Sequence, residues 1–186
     1  MVATTRERMT VEEFLKLPED GVRRSLIHGF IREEGMTIRN RFHSEVTAKI
    51  TFRLGLWLDS QPRPRGVVLT GEAGIRLSSD VLVGVDVVYV PHDLLAAQPE
   101  TSTIIHGVPP LIVEILSPSD TQENIHDKLA EYLAAGVSIV WLIDPTDETV
   151  RIYRPDQRPT FVNADQELTA EPVLPGFRVA VADLFR

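Results

Sequence analysis

Leu111-Ile-Val-Glu-Ile-Leu-Ser117 is a run of aliphatic residues interrupted once, by Glu114. Pro109-Pro110 before it and Pro118 after it hold the run to strand length, so it reads as a buried β-strand. An ionised carboxylate in such a strand carries a heavy desolvation cost unless something compensates it. A salt bridge, a raised pKa or a bound cation can each do so, and the rest of the chain favours the cation.

Asp86 repeats the anomaly. It is the one acid in Val83-Gly-Val-Asp-Val-Val-Tyr-Val90. Strand alternation places it on the face of Val88 and Val90, and Glu114 on the face of Ile112 and Leu116. Two carboxylates on two apolar strands can share one divalent ion, and hard oxygen donors suit Mg²⁺ or Mn²⁺. Taken singly, each has an ordinary explanation: a strand that starts late at Asp86, or an arginine partner for Glu114.

Lys128 completes the pattern. In the helix expected over Thr121–Ala135, the inward stripe is Ile125, Leu129, Tyr132 and Leu133, with Lys128 at its margin and Asp127 and Glu131 further out. Snorkelling along the core is the ordinary role of such a lysine. The functional role is to bring its ammonium to the Glu114 pocket and offset negative charge in a transition state. Asp86, Glu114 and Lys128 around a hard cation make a phosphodiesterase constellation.

The rest of the chain supplies a frame for these residues. A length of 186 residues fits one domain, residues 1–186, with a core that needs no staples. The absence of cysteine excludes thiolate catalysis, cysteine-bound metal and disulfides. No run is long enough to span a membrane and Met1–Arg6 has no apolar core, so a soluble cytoplasmic protein is expected. The net charge of −8 argues against strong non-specific nucleic-acid binding but leaves room for a local basic groove. Arg23, Arg24, Arg32, Arg39 and Arg41 before the first long helix, and Arg63 and Arg65 after it, are candidates for one. Their ordinary reading is a solvated surface.

Thr10-Val-Glu-Glu13 is a capping box for a short helix, and strands at 25–27 and 30–32 turn at His28-Gly29. Val46, Ile50, Leu54 and Leu58 mark one face of a helix over about 42–58. Strands are expected at 67–70, 74–77, 83–90, 111–116, 138–143, 150–153 and 160–162. A short helix is expected near 93–97, and another near 181–185 after the Leu174-Pro-Gly176 turn. Cap chemistry at Ser117-Pro-Ser-Asp120 starts the Lys128 helix and Gly136 stops it. Strands with two substantial helices make an α/β or α+β domain, a sheet packed by helices. The five histidines form no transition-metal pattern. His43, at the start of the long helix, is assigned a cap or surface role, with a cleft contact as the alternative. Trp141 is assigned to the core and Asp144-Pro145 to a strand end.

A resemblance now enters. Ile27-His-Gly29, His43, Gly84-Val-Asp-Val-Val-Tyr-Val90, Val113-Glu-Ile-Leu-Ser-Pro-Ser119, Asp127-Lys128 with Tyr132, Val140-Trp-Leu-Ile-Asp-Pro145 and Leu174-Pro-Gly176 occur in the order of a bacterial family. Together they resemble the restriction-endonuclease-like proteins often called Uma-two, of the PD-(D/E)XK nuclease superfamily. The resemblance implies a mixed sheet flanked by helices, here a single nuclease-like domain with an N-terminal helical and hairpin extension. It implies Asp86 and Glu114 as metal ligands in a Mg²⁺- or Mn²⁺-dependent endonuclease acting on DNA. The superfamily's lysine stands two residues after the glutamate, a place held here by Leu116. The family's displaced lysine, on the next helix, falls on Lys128. His43, Ser25 and Tyr132 become candidate substrate or accessory contacts. The chain departs from the family where Ser25 and His28 replace two early acids and Val85 replaces a proline. That loss motivates the alternative, a catalytically inactive nuclease-fold scaffold or protein-interaction module. A homodimer is compatible with either, through an exposed strand edge such as Val150–Tyr153.

Overall fold

The computed structural model describes residues 8–18, 20–34, 40–118 and 120–186; Arg39, Ser119 and Met1–Arg6 lie outside these. The Thr10 hydroxyl accepts from the Glu13 N–H and the Glu13 carboxylate accepts from the Thr10 N–H, which starts helix α1 at Val11–Phe14. Strands β1 (Arg23–Ile27) and β2 (Phe30–Glu34) pair antiparallel about His28 and Gly29. Both turn residues have positive φ, 52° and 78°, the turn whose twist suits a two-residue hairpin.

Helix α2 spans Arg41–Ser60, with Asn40 Oδ1 accepting from the His43 N–H at 2.9 Å. Its Val46, Ile50 and Leu54 are buried, as the four-residue spacing requires. Strand β3 (Val67–Arg76) unites the two strands expected there and pairs antiparallel with β4 (Leu82–Val90). Helix α3 (His92–Ala96), strand β5 (Ile105–His106), strand β6 (Leu111–Ile115) and helix α4 (Gln122–Ala135) follow. The N-cap of α4 is Thr121, not the preceding Ser117–Asp120 segment, where the Asp120 carboxylate accepts from the Ser117 N–H at 2.7 Å. Gly136, at φ 94°, ends the helix as expected. Strands β7 (Ile139–Asp144), β8 (Thr149–Tyr153), β9 (Thr160–Asn163), β10 (Glu167–Thr169) and β11 (Arg178–Ala180) and a 3₁₀ turn at Val181–Leu184 complete the chain. Strands β5, β10 and β11 leave no mark in the sequence, because two or three residues carry no readable period.

The main sheet runs β2-β1-β4-β6-β7-β8-β9, with β3 on the other edge of β4 and β5 beyond it. Strands β6 and β7 are parallel and joined through α4, while β4–β6 and β7–β8 are antiparallel. Strand β8 is not an edge, because β9 pairs along it from Thr149 to Ile152. Both faces of the sheet are buried, which explains the nearly unbroken apolar strands. On one face α2 and the C-terminal segment pack Ile50, Leu54, Leu168 and Phe177 against Val87, Val113, Ile115 and Trp141. On the other, Leu129 and Tyr132 of α4 pack with Val85, Val88, Ile112 and Leu142. No helix among the described residues is long and apolar enough to cross a membrane.

Leu54 is wholly buried between α2 and the sheet. Leu54→Ala should cost about 2–5 kcal/mol through lost burial and a residual cavity, read as a lower urea midpoint at unchanged m-value.

Candidate active site

Strand β4 has two edges, and β3 pairs along one of them from Leu82 to Val90, interrupted only at Asp86. On the other edge β1 pairs at Leu82 and β6 pairs only from Val87 onward. Among the described residues no strand covers Val83–Asp86 on that side, so the ladder opens into a slot. Buried backbone groups in such a slot need partners from elsewhere, and side chains supply them. Asp86 Oδ2 accepts from the Ile115 N–H at 2.8 Å, and Lys128 Nζ lies 3.4 Å from the Gly84 carbonyl.

Strand β4 also changes face here. Val83 and Val85 pack into the α4-side core, and so do Val88 and Val90, while Val87 packs on the α2 side. Alternation therefore slips by one residue at Asp86, and its carboxylate does not share the face of Val88 and Val90. It meets α2 instead, where His43 Nε2 lies 3.2 Å from Asp86 Oδ2. The cause is a bulge in β3: Thr70 opposes Val87 and Ala73 opposes Val85, so Gly71 and Glu72 both stand across from Asp86.

Glu114 does share the face of Ile112, and there it meets α4. The Tyr132 hydroxyl donates to Glu114 Oε1, and Lys128 Nζ lies 3.6 Å from the same oxygen. Tyr132 is wholly buried, and the Glu114 and Lys128 side chains are 14 and 13 % exposed. The lysine thus spans the slot, from the carbonyl of Gly84 on one side to the carboxylate of Glu114 on the other. It can place a positive charge beside any anion that enters.

Glu114, Lys128 and Tyr132 meet on the α4 side and Asp86 and His43 on the α2 side, and the Ile115 N–H, next to Glu114, ties the second group to the first through Asp86. His43 corrects the cap or surface assignment: its backbone N–H takes the cap bond, while its ring is buried against Asp86. Ser25 is buried on β1 and lines a neighbouring cavity with Arg23, Glu72 and Gly84. Asp127 and Glu131 lie further out than Lys128, as expected, but not free in solvent. The β1–β2 hairpin folds over that flank of α4, bringing Arg32 and His28 to them at 3.2 and 2.9 Å. Trp141 is buried core, and the Asp144 carboxylate accepts from the Thr146 and Asp147 N–H groups of the turn it ends.

Among the described residues, Arg24, Arg32 and Arg65 are engaged by acids. Arg24 donates to both oxygens of Asp20 at 2.8 Å, which lowers that carboxyl to about 2, and it also reaches Glu33. Arg65 pairs with Asp59 and Arg32 with Asp127. Glu72 is the neighbour that sequence reading missed: it lines a cavity with His43 and Asp86 and pairs with Arg23. Its only signal was a Gly-Glu pair breaking an otherwise strand-like stretch.

A family model, Uma2, described as a putative restriction endonuclease, matches residues 11–182. No curated protein matches the chain. Among solved structures, a putative nuclease belonging to DUF820 from Anabaena variabilis superposes with a TM-score of 0.82 at 24% identity. The match covers 95% of this chain and 97% of that one, and the likeness is one of fold.

Tyr132→Phe tests the α4 side of the slot. Removing a hydroxyl that donates to a largely buried carboxylate should cost about 1.5–3 kcal/mol, read by chemical denaturation. A cost near zero would show that the bond contributes nothing to holding Glu114.

Proposed function

The chain belongs to the Uma2 family of restriction-endonuclease-like proteins, and from that premise we propose that it hydrolyses phosphodiester bonds in DNA with a divalent cation held by Asp86 and Glu114. The observation that carries this reading is the open ladder, where Asp86 accepts from the amide next to Glu114 and Lys128 reaches from Glu114 to the Gly84 carbonyl.

The donor set suits the ion. Among the described residues no third His, Asp, Glu or Cys side chain joins these two to form a protein cage. Mg²⁺ is commonly bound in this way, through one or two carboxylates, with water and phosphate oxygens filling its shell. When bound, the ion would supply Lewis-acid polarisation of the phosphoryl group and acidify a water molecule. The protein's own part is positioning. Ile115 and His43 fix one oxygen of Asp86, and Tyr132 fixes one oxygen of Glu114. Lys128 sets an ammonium where charge builds on the phosphate oxygens, in a site that excludes much of the solvent. The nuclease character of the family makes a nucleic acid the substrate class, and the endonucleolytic cut and the choice of DNA follow the restriction-endonuclease likeness.

One observation favours a second reading. Lys128 already faces Glu114 at 3.6 Å, and this ion pair can neutralise the carboxylate with no metal present. An inactive scaffold or interaction module that kept the fold would retain the same contact.

Calorimetric titration with Mn²⁺ separates the two readings. Wild type should bind, while Glu114→Ala and Asp86→Ala should not; binding that survives either substitution removes the proposed site. A wild type that binds no Mn²⁺ at millimolar concentration, with or without a short duplex, supports the scaffold. Lys128→Met should retain Mn²⁺ binding yet cleave linear DNA about 100-fold or more slowly. Equal cleavage by wild type and Lys128→Met would exclude the lysine from catalysis.

A further inference from the structure

Glu72 adopts φ 65°, beside Gly71 at 82°. Glycine enters this left-handed region freely, whereas a glutamate there is strained, and such strain collects at functional sites. Gly71 and Glu72 are the bulge across from Asp86. From that backbone the Glu72 side chain passes over Gly84, where an added Cβ would stand 3.2 Å from Glu72 Oε2. It ends in an ion pair with Nη2 of Arg23 on β1. Glu72 is therefore a shared wall of two cavities. One, of about 460 Å³, contains His43 and Asp86; the other, of about 360 Å³, contains Arg23, Ser25 and Gly84. Lys128 reaches the carbonyl of the same Gly84. Two cations thus flank Gly84, Lys128 directly and Arg23 by way of Glu72.

We infer that Arg23 is a second phosphate contact, gripping the substrate strand beside the position cut, and that Glu72 is the positioning residue that holds it there. The inference rests on the nuclease reading. Arg23 and Arg24 line the same cavity, but the acid that holds Arg23 also lines the Asp86 cavity. Arg24 is engaged by Asp20 and Glu33, and Arg32 and Arg65 pair with acids that do not line the slot. The Arg23 side chain is 28% exposed, so a ligand can reach it. A guanidinium has five N–H donors in a planar fork, so it can serve a carboxylate and a phosphate together. Fixing it in advance reduces the ordering cost that a long side chain incurs when it binds.

The test is duplex binding by fluorescence anisotropy, with a short labelled DNA in Ca²⁺ at several salt concentrations. Arg23→Ala should weaken binding about tenfold or more and make the slope of log K against log salt shallower by about 1. Mn²⁺ affinity should not change. Glu72→Gly and Glu72→Ala should both weaken duplex binding, because both lose the carboxylate. Their Tm values should differ, with Gly above Ala, because only Gly relieves the positive φ. Affinity that follows Tm, with Glu72→Gly binding like wild type, assigns Glu72 a purely structural role and overturns its part. Wild-type binding with unchanged affinity and slope in Arg23→Ala overturns the inference and leaves the nuclease reading intact. A wild type that binds no duplex overturns both.

Discussion

The hydrogen bond from the Ile115 N–H to Asp86 Oδ2, at 2.8 Å, stands where the β4–β6 ladder would otherwise continue. Val87 opposes Val113, and one further step would offer a backbone acceptor from β4 to that N–H. A side-chain carboxylate takes its place, so the strands separate without leaving the amide unpaired, which would be costly in a buried sheet. The separation creates the slot, and the slot gives Glu114 and Lys128 somewhere to meet. The bulge at Gly71-Glu72 belongs to the same distortion, since it turns Asp86 toward α2 and His43.

The slot concentrates charge inside an apolar frame. Asp86 and His43 are almost wholly buried, and Glu114 and Lys128 nearly so. In such surroundings each group depends on its neighbours, and deleting one member strands another. The Lys128–Glu114 pair shows the double character of the arrangement. The contact that sets the lysine beside Glu114 can also neutralise the carboxylate, and a cation would have to share an oxygen environment already occupied by Tyr132 and Lys128. Under the proposed reading, lysine, tyrosine and cation thus compete for Glu114.

Much of this was legible in the chain because it violates a simple rule. Lone acids in aliphatic strands attract attention through their desolvation cost, and Asp86 and Glu114 are such acids. Lys128 followed from helical spacing, and so did the burial of Tyr132. His43 was misread because a residue at the start of a helix looks like a cap. Its backbone does take the cap bond, while its ring turns inward. The face of Asp86 was misread because alternation assumes an unbroken partner strand, and a bulge across the sheet shifts the count by one. Val150–Tyr153 reads as an edge in the sequence because its flanking turns are visible there and its pairing with β9 is not.

The sequence by itself determined the local elements, the two buried-strand acids, the helix that carries the lysine and the family resemblance. These depend on periodicity, caps and residue chemistry over a few neighbouring positions, and such signals are written in the chain order. Only the tertiary structure decided that β1 and β6 leave an uncovered stretch of β4 between them, and that Glu72 crosses Gly84 to hold Arg23. Those contacts join residues tens of positions apart through strand register. A register is a property of two strands together, so neither strand contains it alone.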